Sequence, residues 1–428
     1  MTETGLAIIA LGIIAYGLVS SRLEGSVVTV PMAFVAFGWL AGGGGLGLAD
    51  ISPDHGFIHL FAELTLILVL FSDAARIDLK RLIADHNLPQ RMLLIGLPTT
   101  VLLGVVAAVA VFPGMTLAEA ALIAAILSPT DAALGQAVVS NPAVPVRIRQ
   151  ALNVESGLND GIVLPLVLVF AIWAAGTAGS GGDMAVFALK QVTLGPLAGI
   201  AIGYAGAWLI DRAAEAEWMS EPFEGITILA LALLAFAGAE AVGGNGFIAA
   251  FAAGLTFGGR LRHRCKFLFE FMETEGQFLV LLVFLIFGAA MLPEALHALS
   301  WQVLLYAVLS LTVVRMAPVA LSLSGTGLSP SSKAFLGWFG PRGLASILFA
   351  LLIVEQYDIA REQEILACII VTVALSVLLH GLTAAPVAKA YGAMVARQGE
   401  CEETKPVSEM PVRHGFSINR VFSRGRPK

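Results

Sequence analysis

The chain has 428 residues, of which 57% are hydrophobic and only 13% are charged, with a mean hydropathy of +0.85. A soluble α-helical protein of this size needs far more charge on its surface, so that class is excluded, and a net charge of −6 says little about partners. Three cysteines without close spacing, Cys265, Cys368 and Cys401, exclude a disulfide framework and a cysteine zinc site.

Taken in chain order, apolar segments long enough to cross about 30 Å of hydrocarbon are predicted at 5–20, 26–42, 57–72, 92–112, 117–139, 149–176, 184–210, 223–240, 245–259, 268–292, 301–322, 334–354 and 363–392. The basic residues test these thirteen spans independently. With odd-numbered spans ending in the cytoplasm, every Lys and Arg falls on that side except Arg361, in an outer loop, and Lys190, Arg315 and Arg342, within spans. This positive-inside bias puts the N-terminus outside and the C-terminus inside. The first apolar run has an acidic flank (Glu3) and is followed by Arg22, which suits an N-out anchor better than a cleaved signal. The expected fold class is therefore an all-α polytopic membrane protein. Residues 1–392 form a membrane transport domain, and 393–428 form a polar, largely disordered cytoplasmic tail whose basic end, 420-RVFSRGRPK-428, could touch anionic lipid.

The third span runs into 70-LFSDAARIDL-79, with Asp73 close to Arg76 at its cytoplasmic end. The fifth contains 128-SPTDAALG-135. Pro129 cannot donate a backbone hydrogen bond there, while Thr130 and Asp131 are good N-caps for a helix that resumes afterwards. A second break, 339-FGPRGLASI-347, puts two glycines, Pro341 and Arg342 into the twelfth span. Two proline kinks would be the simpler account. Two Gly/Pro breaks in separate halves, each beside an ionisable residue, point instead to an inverted-repeat transporter with spans 1–6 and 8–13 as repeats and span 7 as linker. Its core would be drawn from 117–176 and 301–392 with their partners, and the rest would be scaffold.

The sixth span contains 153-NVESGLNDGIVLPLVLVF-170, where Glu155, Ser156, Asn159 and Asp160 lead straight into hydrocarbon. On a helix Glu155 and Asn159 are i,i+4, as are Ser156 and Asp160, and the two pairs lie about 100° apart. One pair can face a partner helix while the other faces a cavity. Charges at membrane depth cost about 3 kcal/mol or more each and mark ion or proton pathways. A carboxylate, a hydroxyl and carbonyls freed by a break are the oxygen ligands of a hard cation. Asp160 is thus the candidate carrier, holding either a proton or a cation. Glu155 is assigned a structural ion pair with a buried arginine, Arg315 as first choice and Arg342 as second. Thr130 and Ser156 are read as ligands, although either hydroxyl could simply bond its own helix.

The combination 128-SPTDAAL-134, 155-ESGLNDG-161 and 340-GPRGLAS-346, with Arg315 one span earlier, resembles the monovalent cation:proton antiporter-1 family, the NhaP-like and sodium/proton exchanger group. The resemblance covers about 5–392. It implies an NhaA-like antiporter fold with two broken crossing helices and a homodimer in which a six-helix core moves against a dimerisation domain. It also implies a cation held by Asp160, Ser156 and the Thr130 main-chain region. Glu155, Asn159 and a buried arginine would support that site, and Asp131 would cap a half-helix. Two departures stand out: Ala132 follows Thr-Asp where the family often has Pro, and Asp73 occupies the place of a third-span acid but is followed by Ala. Asp73 is either a fourth ligand or a charge at the cytoplasmic end.

Exchange of H⁺ for a monovalent cation, Na⁺ first with Li⁺ or K⁺ as alternatives, is the expected activity, in a bacterial inner membrane and with no cofactor and no nucleic-acid partner. Because Asn159 stands beside Asp160, the pair offers one titratable carboxylate. One proton per cation moves no net charge, so exchange should be electroneutral. Two rivals remain. A cation-coupled solute symporter would want a larger pocket. An intramembrane aspartyl protease would pair Asp131 with Asp160 around 157-GLND-160, but leaves Glu155 and Arg342 unexplained. His55, His59 and His263 read as surface residues, Glu240 as part of a short loop with 243-GGNG-246, and Glu270, Glu273 and Glu275 as the cytoplasmic start of span 10, where they could form an acidic funnel.

Overall fold

The computed structural model describes residues 3–23, 26–48, 56–78, 82, 87–176, 181–260, 275–354 and 356–407. His55, Lys80, Arg81, His263, Cys265, Glu270, Glu273, the side chain of Glu275 and the tail from 408 lie outside what it describes. Among the described residues the regular structure is entirely helical. In chain order the helices are α1 Glu3–Leu23, α2 Val30–Ala41, α3 Gly56–Ala75, α4 Asn87–Val111, α5 Leu117–Ile126, α6 Ala132–Val139, α7 Val146–Ala175 and α8 Gly181–Glu215. They continue as α9 Glu221–Ala241, α10 Gly246–Arg260, α11 Gly276–His297, α12 Trp301–Ser322, α13 Pro330–Trp338, α14 Leu344–Val354 and α15 Glu362–Gln398. Of these, α3, α4, α7, α8, α9, α11, α12 and α15 are long and apolar enough to cross a membrane, and parts of α1, α2, α5 and α14 are shorter apolar helices.

Both interruptions singled out in the sequence interrupt helices. Helix α5 starts with a capping box, in which Thr116 Oγ1 accepts from the Glu119 N–H at 3.2 Å and Glu119 returns a carboxylate oxygen to the Thr116 N–H at 2.8 Å. It stops ahead of Pro129, and the chain resumes as α6 with Asp131 as N-cap. Helix α13 starts from the Ser329 cap with Pro330 in its first turn, stops at Trp338, and gives way to α14 after the five residues 339–343. A further irregularity, not anticipated, falls inside α12, where Thr312 leaves helical geometry (φ −110, ψ −95) just ahead of Arg315.

Helix α7 packs against both α5 and α6, and α15 packs against α6, which brings the first break beside the residues of the sixth span. On the other side α10 lies between α3 and α8. A Cβ on Gly199 or Gly203 of α8 would collide with the backbone carbonyl of Ala249 or Ala253 of α10, the small-residue contact by which helices approach in lipid.

The boundary of 393 set above falls inside a helix. Helix α15 runs on to Gln398, and 399–407 fold back onto the helix ends. There Glu403, 2% exposed, accepts from the Ser329 N–H at 2.9 Å and the Ser332 hydroxyl at 2.7 Å. Glu402 meets Arg147, at the start of α7, at 2.9 Å. These bonds satisfy a buried carboxylate in a stretch whose composition alone suggests solvent.

Candidate functional site

The two breaks face each other and complete each other's backbone hydrogen bonds. A helix interrupted in hydrocarbon strands N–H and C=O groups that need partners inside the protein. Here the Asp131 N–H donates to the Pro341 carbonyl at 2.8 Å. One Asp131 carboxylate oxygen accepts from the Leu134 N–H at 2.8 Å, and the other accepts from the N–H of Leu344, the first residue of α14. One side chain thus caps both resuming half-helices, and its negative charge suits two helix N-termini. From the other side Arg342 Nη1 donates to the carbonyls of Ser128, at 2.8 Å, and Pro129, at 3.0 Å. The Ser346 hydroxyl donates to the Ile126 carbonyl at 2.8 Å. A Cβ on Gly343 would lie 2.3 Å from the Asp131 carboxylate, so only glycine allows this approach.

Next to this junction stand the polar residues of α7. Thr130 Oγ1 and Ser156 Oγ are 2.9 Å apart, and Asn159 Nδ2 donates to Thr130 Oγ1 at 2.7 Å. Thr130 and Asn159 are each 1% exposed and Ser156 is 8% exposed. Asn159 Oδ1 is buried without a hydrogen-bond partner among the described residues, an oxygen that needs a donor or a cation. Asp160 follows on the same turn and is half-buried. A cavity with about 10 Å³ of room for a water-sized sphere reaches Ser156, lined also by Ala132, Gly135, Gln136, Val139, Leu152, Asn153 and Phe339. That is space for about one water or one stripped cation, not for an organic solute.

Glu155 lies on the neighbouring face of α7. Of the two arginines left open above, it is Arg315 that meets it: Nη1 to Oε1 at 2.6 Å and Nη2 to Oε2 at 2.7 Å, both residues 1% exposed. This is the bidentate fork in which a guanidinium matches a carboxylate. Arg342 is committed elsewhere, to the carbonyls of the first break. Asp73 is 9% exposed near the end of α3, where its backbone carbonyl lies against Gly157, one residue from Ser156.

The sequence reading missed Ser376 and His380 of α15, fully buried residues that hold the second break: Ser376 Oγ accepts from the Arg342 N–H at 2.7 Å, and His380 Nε2 lies 2.8 Å from the Trp338 carbonyl. An i,i+4 Ser–His pair inside an apolar run was the available signal. The protease alternative fails on geometry, because both Asp131 oxygens are taken by backbone N–H groups. Among the described residues no group of three or more His, Cys, Asp or Glu is arranged to hold a metal ion.

A family model described as the transmembrane sodium/hydrogen exchanger matches residues 6–390. The K(+)/H(+) antiporter NhaP of Alkalimonas amylolytica is 24% identical over 416 residues, covering 95% of this chain and 70% of that protein. The K(+)/H(+) antiporter NhaP2 of Shewanella sp. (strain MR-4) is 26% identical over 339 residues, 78% of this chain, and the match spans only 57% of the relative's length. The solved structure of the sodium proton antiporter MjNhaP1 from Methanocaldococcus jannaschii at pH 8 superposes with a TM-score of 0.74 at 19% identity, over 92% of this chain and 99% of that one, which shows a shared fold.

Proposed function

The chain belongs to the sodium/hydrogen exchanger family, a family of cation/proton antiporters and not of enzymes, and from that premise we propose that it exchanges Na⁺ for H⁺ by alternating access, with Asp160 binding one or the other. The observation that carries this reading is the oxygen cluster of Thr130, Ser156 and Asn159 beside Asp160, with the free Asn159 Oδ1 among its members. Asp160, Ser156 and Thr130 supply the cation's ligands, and Asp73 is kept as a fourth oxygen donor. Asn159 orients Thr130. The Glu155–Arg315 pair is neutral as a unit, and Asp131 is held by helix N-termini. With Asn159 beside it, Asp160 is the one titratable carboxylate of that pair, which supports one proton per cation and electroneutral transport.

All thirteen expected segments cross the inner membrane in this reading, as inverted repeats whose broken helices cross at the site. The N-terminus is outside, the C-terminus is cytoplasmic, and two copies form the working unit. K⁺ is the second reading, favoured by the names of the two relatives, whereas the description of the matching family model favours Na⁺. Proteoliposomes with an imposed pH gradient and a pH dye test both. Collapse on adding Na⁺ at concentrations where K⁺ does nothing supports the first, the reverse order supports the second, and silence with Na⁺, Li⁺ and K⁺ from folded, inserted protein ends the antiport reading.

A further inference from the structure

The gap at 339–343 leaves polar groups on both its sides, and both are tied to one pair of side chains on α15. On the far side the Arg342 N–H donates to Ser376 Oγ at 2.7 Å. On the near side the Trp338 carbonyl, which accepts from the Gly340 N–H at 2.8 Å, is also 2.8 Å from His380 Nε2. Ser376 Oγ and His380 Nδ1 are 3.2 Å apart. Both residues are 1% exposed or less, and the imidazole stacks on the Trp338 ring with centroids 4.9 Å apart. With the proton on Nε2, Nε2–H donates to Trp338 and the Ser376 hydroxyl donates to Nδ1; in either tautomer the Ser376 hydroxyl oxygen accepts from the Arg342 N–H. Nδ1 also lies 2.9 Å from the Ser376 carbonyl, which can only accept, so with the proton on Nδ1 the ring donates to the Ser376 backbone instead.

We propose that His380 is a positioning residue for cation binding, acting through Ser376 and Arg342. The latch fixes the Arg342 backbone, and the Arg342 guanidinium fixes the Ser128 and Pro129 carbonyls, the turn that presents Thr130 to Ser156. The inference rests on the exchange reading above and adds to it a residue outside the oxygen cluster. Losing the latch loosens the ligand geometry without removing a ligand or the titrating group. Cation affinity falls while the exchange cycle survives.

The test uses reconstituted full-length protein with wild type, His380→Leu, His380→Gln and Ser376→Ala, each normalised to the amount folded and inserted. His380→Leu removes both contacts, and Ser376→Ala removes the Arg342 partner with a smaller change of shape. Both should raise the cation KM about tenfold, the size of one buried hydrogen bond, with the maximal rate kept within about twofold. His380→Gln retains an amide donor and an acceptor and should restore most of the affinity. A merely structural role predicts lower yield or thermal stability at unchanged KM, and that result, in His380→Leu or in Ser376→Ala where the former does not fold, overturns the proposal. A wild type inactive with every cation overturns the exchange reading itself, an outcome separate from wild-type exchange with unaltered KM in the variants.

Discussion

Removing either partner of the buried Glu155–Arg315 pair should cost more than removing both. Each carboxylate oxygen accepts from its own guanidinium nitrogen, at 2.6 and 2.7 Å, and each residue is 1% exposed. Arg315→Met strands an unpaired carboxylate inside the bundle, and Glu155→Gln strands a guanidinium whose Nε already lacks a hydrogen-bond partner among the described residues. Breaking such a pair costs about 3–5 kcal/mol, because the charge left behind has lost both water and partner. The double variant carries neither charge and loses only fitted contacts, about 1–2 kcal/mol. The coupling energy from equilibrium unfolding in mixed micelles should therefore be at least about 4 kcal/mol, with the double variant more stable than either single one. Single variants costing under about 1 kcal/mol, adding without coupling, would refute the pairing and the neutrality it lends to the site.

Gly343→Ala places a methyl 2.3 Å from the Asp131 carboxylate and should cost about 1–3 kcal/mol with loss of most transport; a variant as stable and active as wild type would show that the breaks do not depend on this approach. Asn159→Asp adds a second carboxylate and removes the amide that donates to Thr130, so exchange should become sensitive to an imposed potential, worth about 2.3 kcal/mol per charge per 100 mV. Transport by that variant that stays indifferent to voltage, read with valinomycin-clamped liposomes, argues against a single-carboxylate stoichiometry. Burial raises the Glu403 carboxyl, but the hydrogen bonds from Ser329 and Ser332 outweigh it and draw the group from its ordinary 4.5 to about 2. Its contribution to docking 399–407 is present above pH 4.5 and is lost as pH falls towards 2. Hydrogen exchange in that segment should rise over this window in wild type and be high and flat in Glu403→Gln; equal profiles would contradict the dock.

Much of the membrane architecture could be read from local pattern. Hydrocarbon thickness sets a minimum length for apolar runs, and Pro129, Gly340, Pro341 and Gly343 mark where a helix cannot continue. The i,i+4 spacing of Glu155 with Asn159 and of Ser156 with Asp160 marks two helix faces, but Asn159 bonds Thr130 in the cluster that holds Ser156 and does not join the Glu155–Arg315 pair. What stayed hidden was pairing over distance. Nothing near Asp131 announces that its second oxygen caps Leu344, 213 residues on, or that Arg342 returns to Ser128. The choice between Arg315 and Arg342 for Glu155 was open for the same reason. Ser376 and His380 sit in an otherwise ordinary apolar helix, and their partners are backbone groups exposed only by the break. The docking of 399–407 is equally hidden, because polar composition says nothing about a buried carboxylate that finds two donors.

The central claim is that one carboxylate, Asp160, carries proton and cation by turns, and proton release on cation binding tests it most directly. Titrating Na⁺ into detergent-solubilised protein in weak buffer, at a pH where Asp160 is protonated, should release one proton per cation bound. Asp160→Asn, folded to the same extent, should release none. Cation binding by wild type without proton release, or undiminished release from Asp160→Asn, would contradict the account.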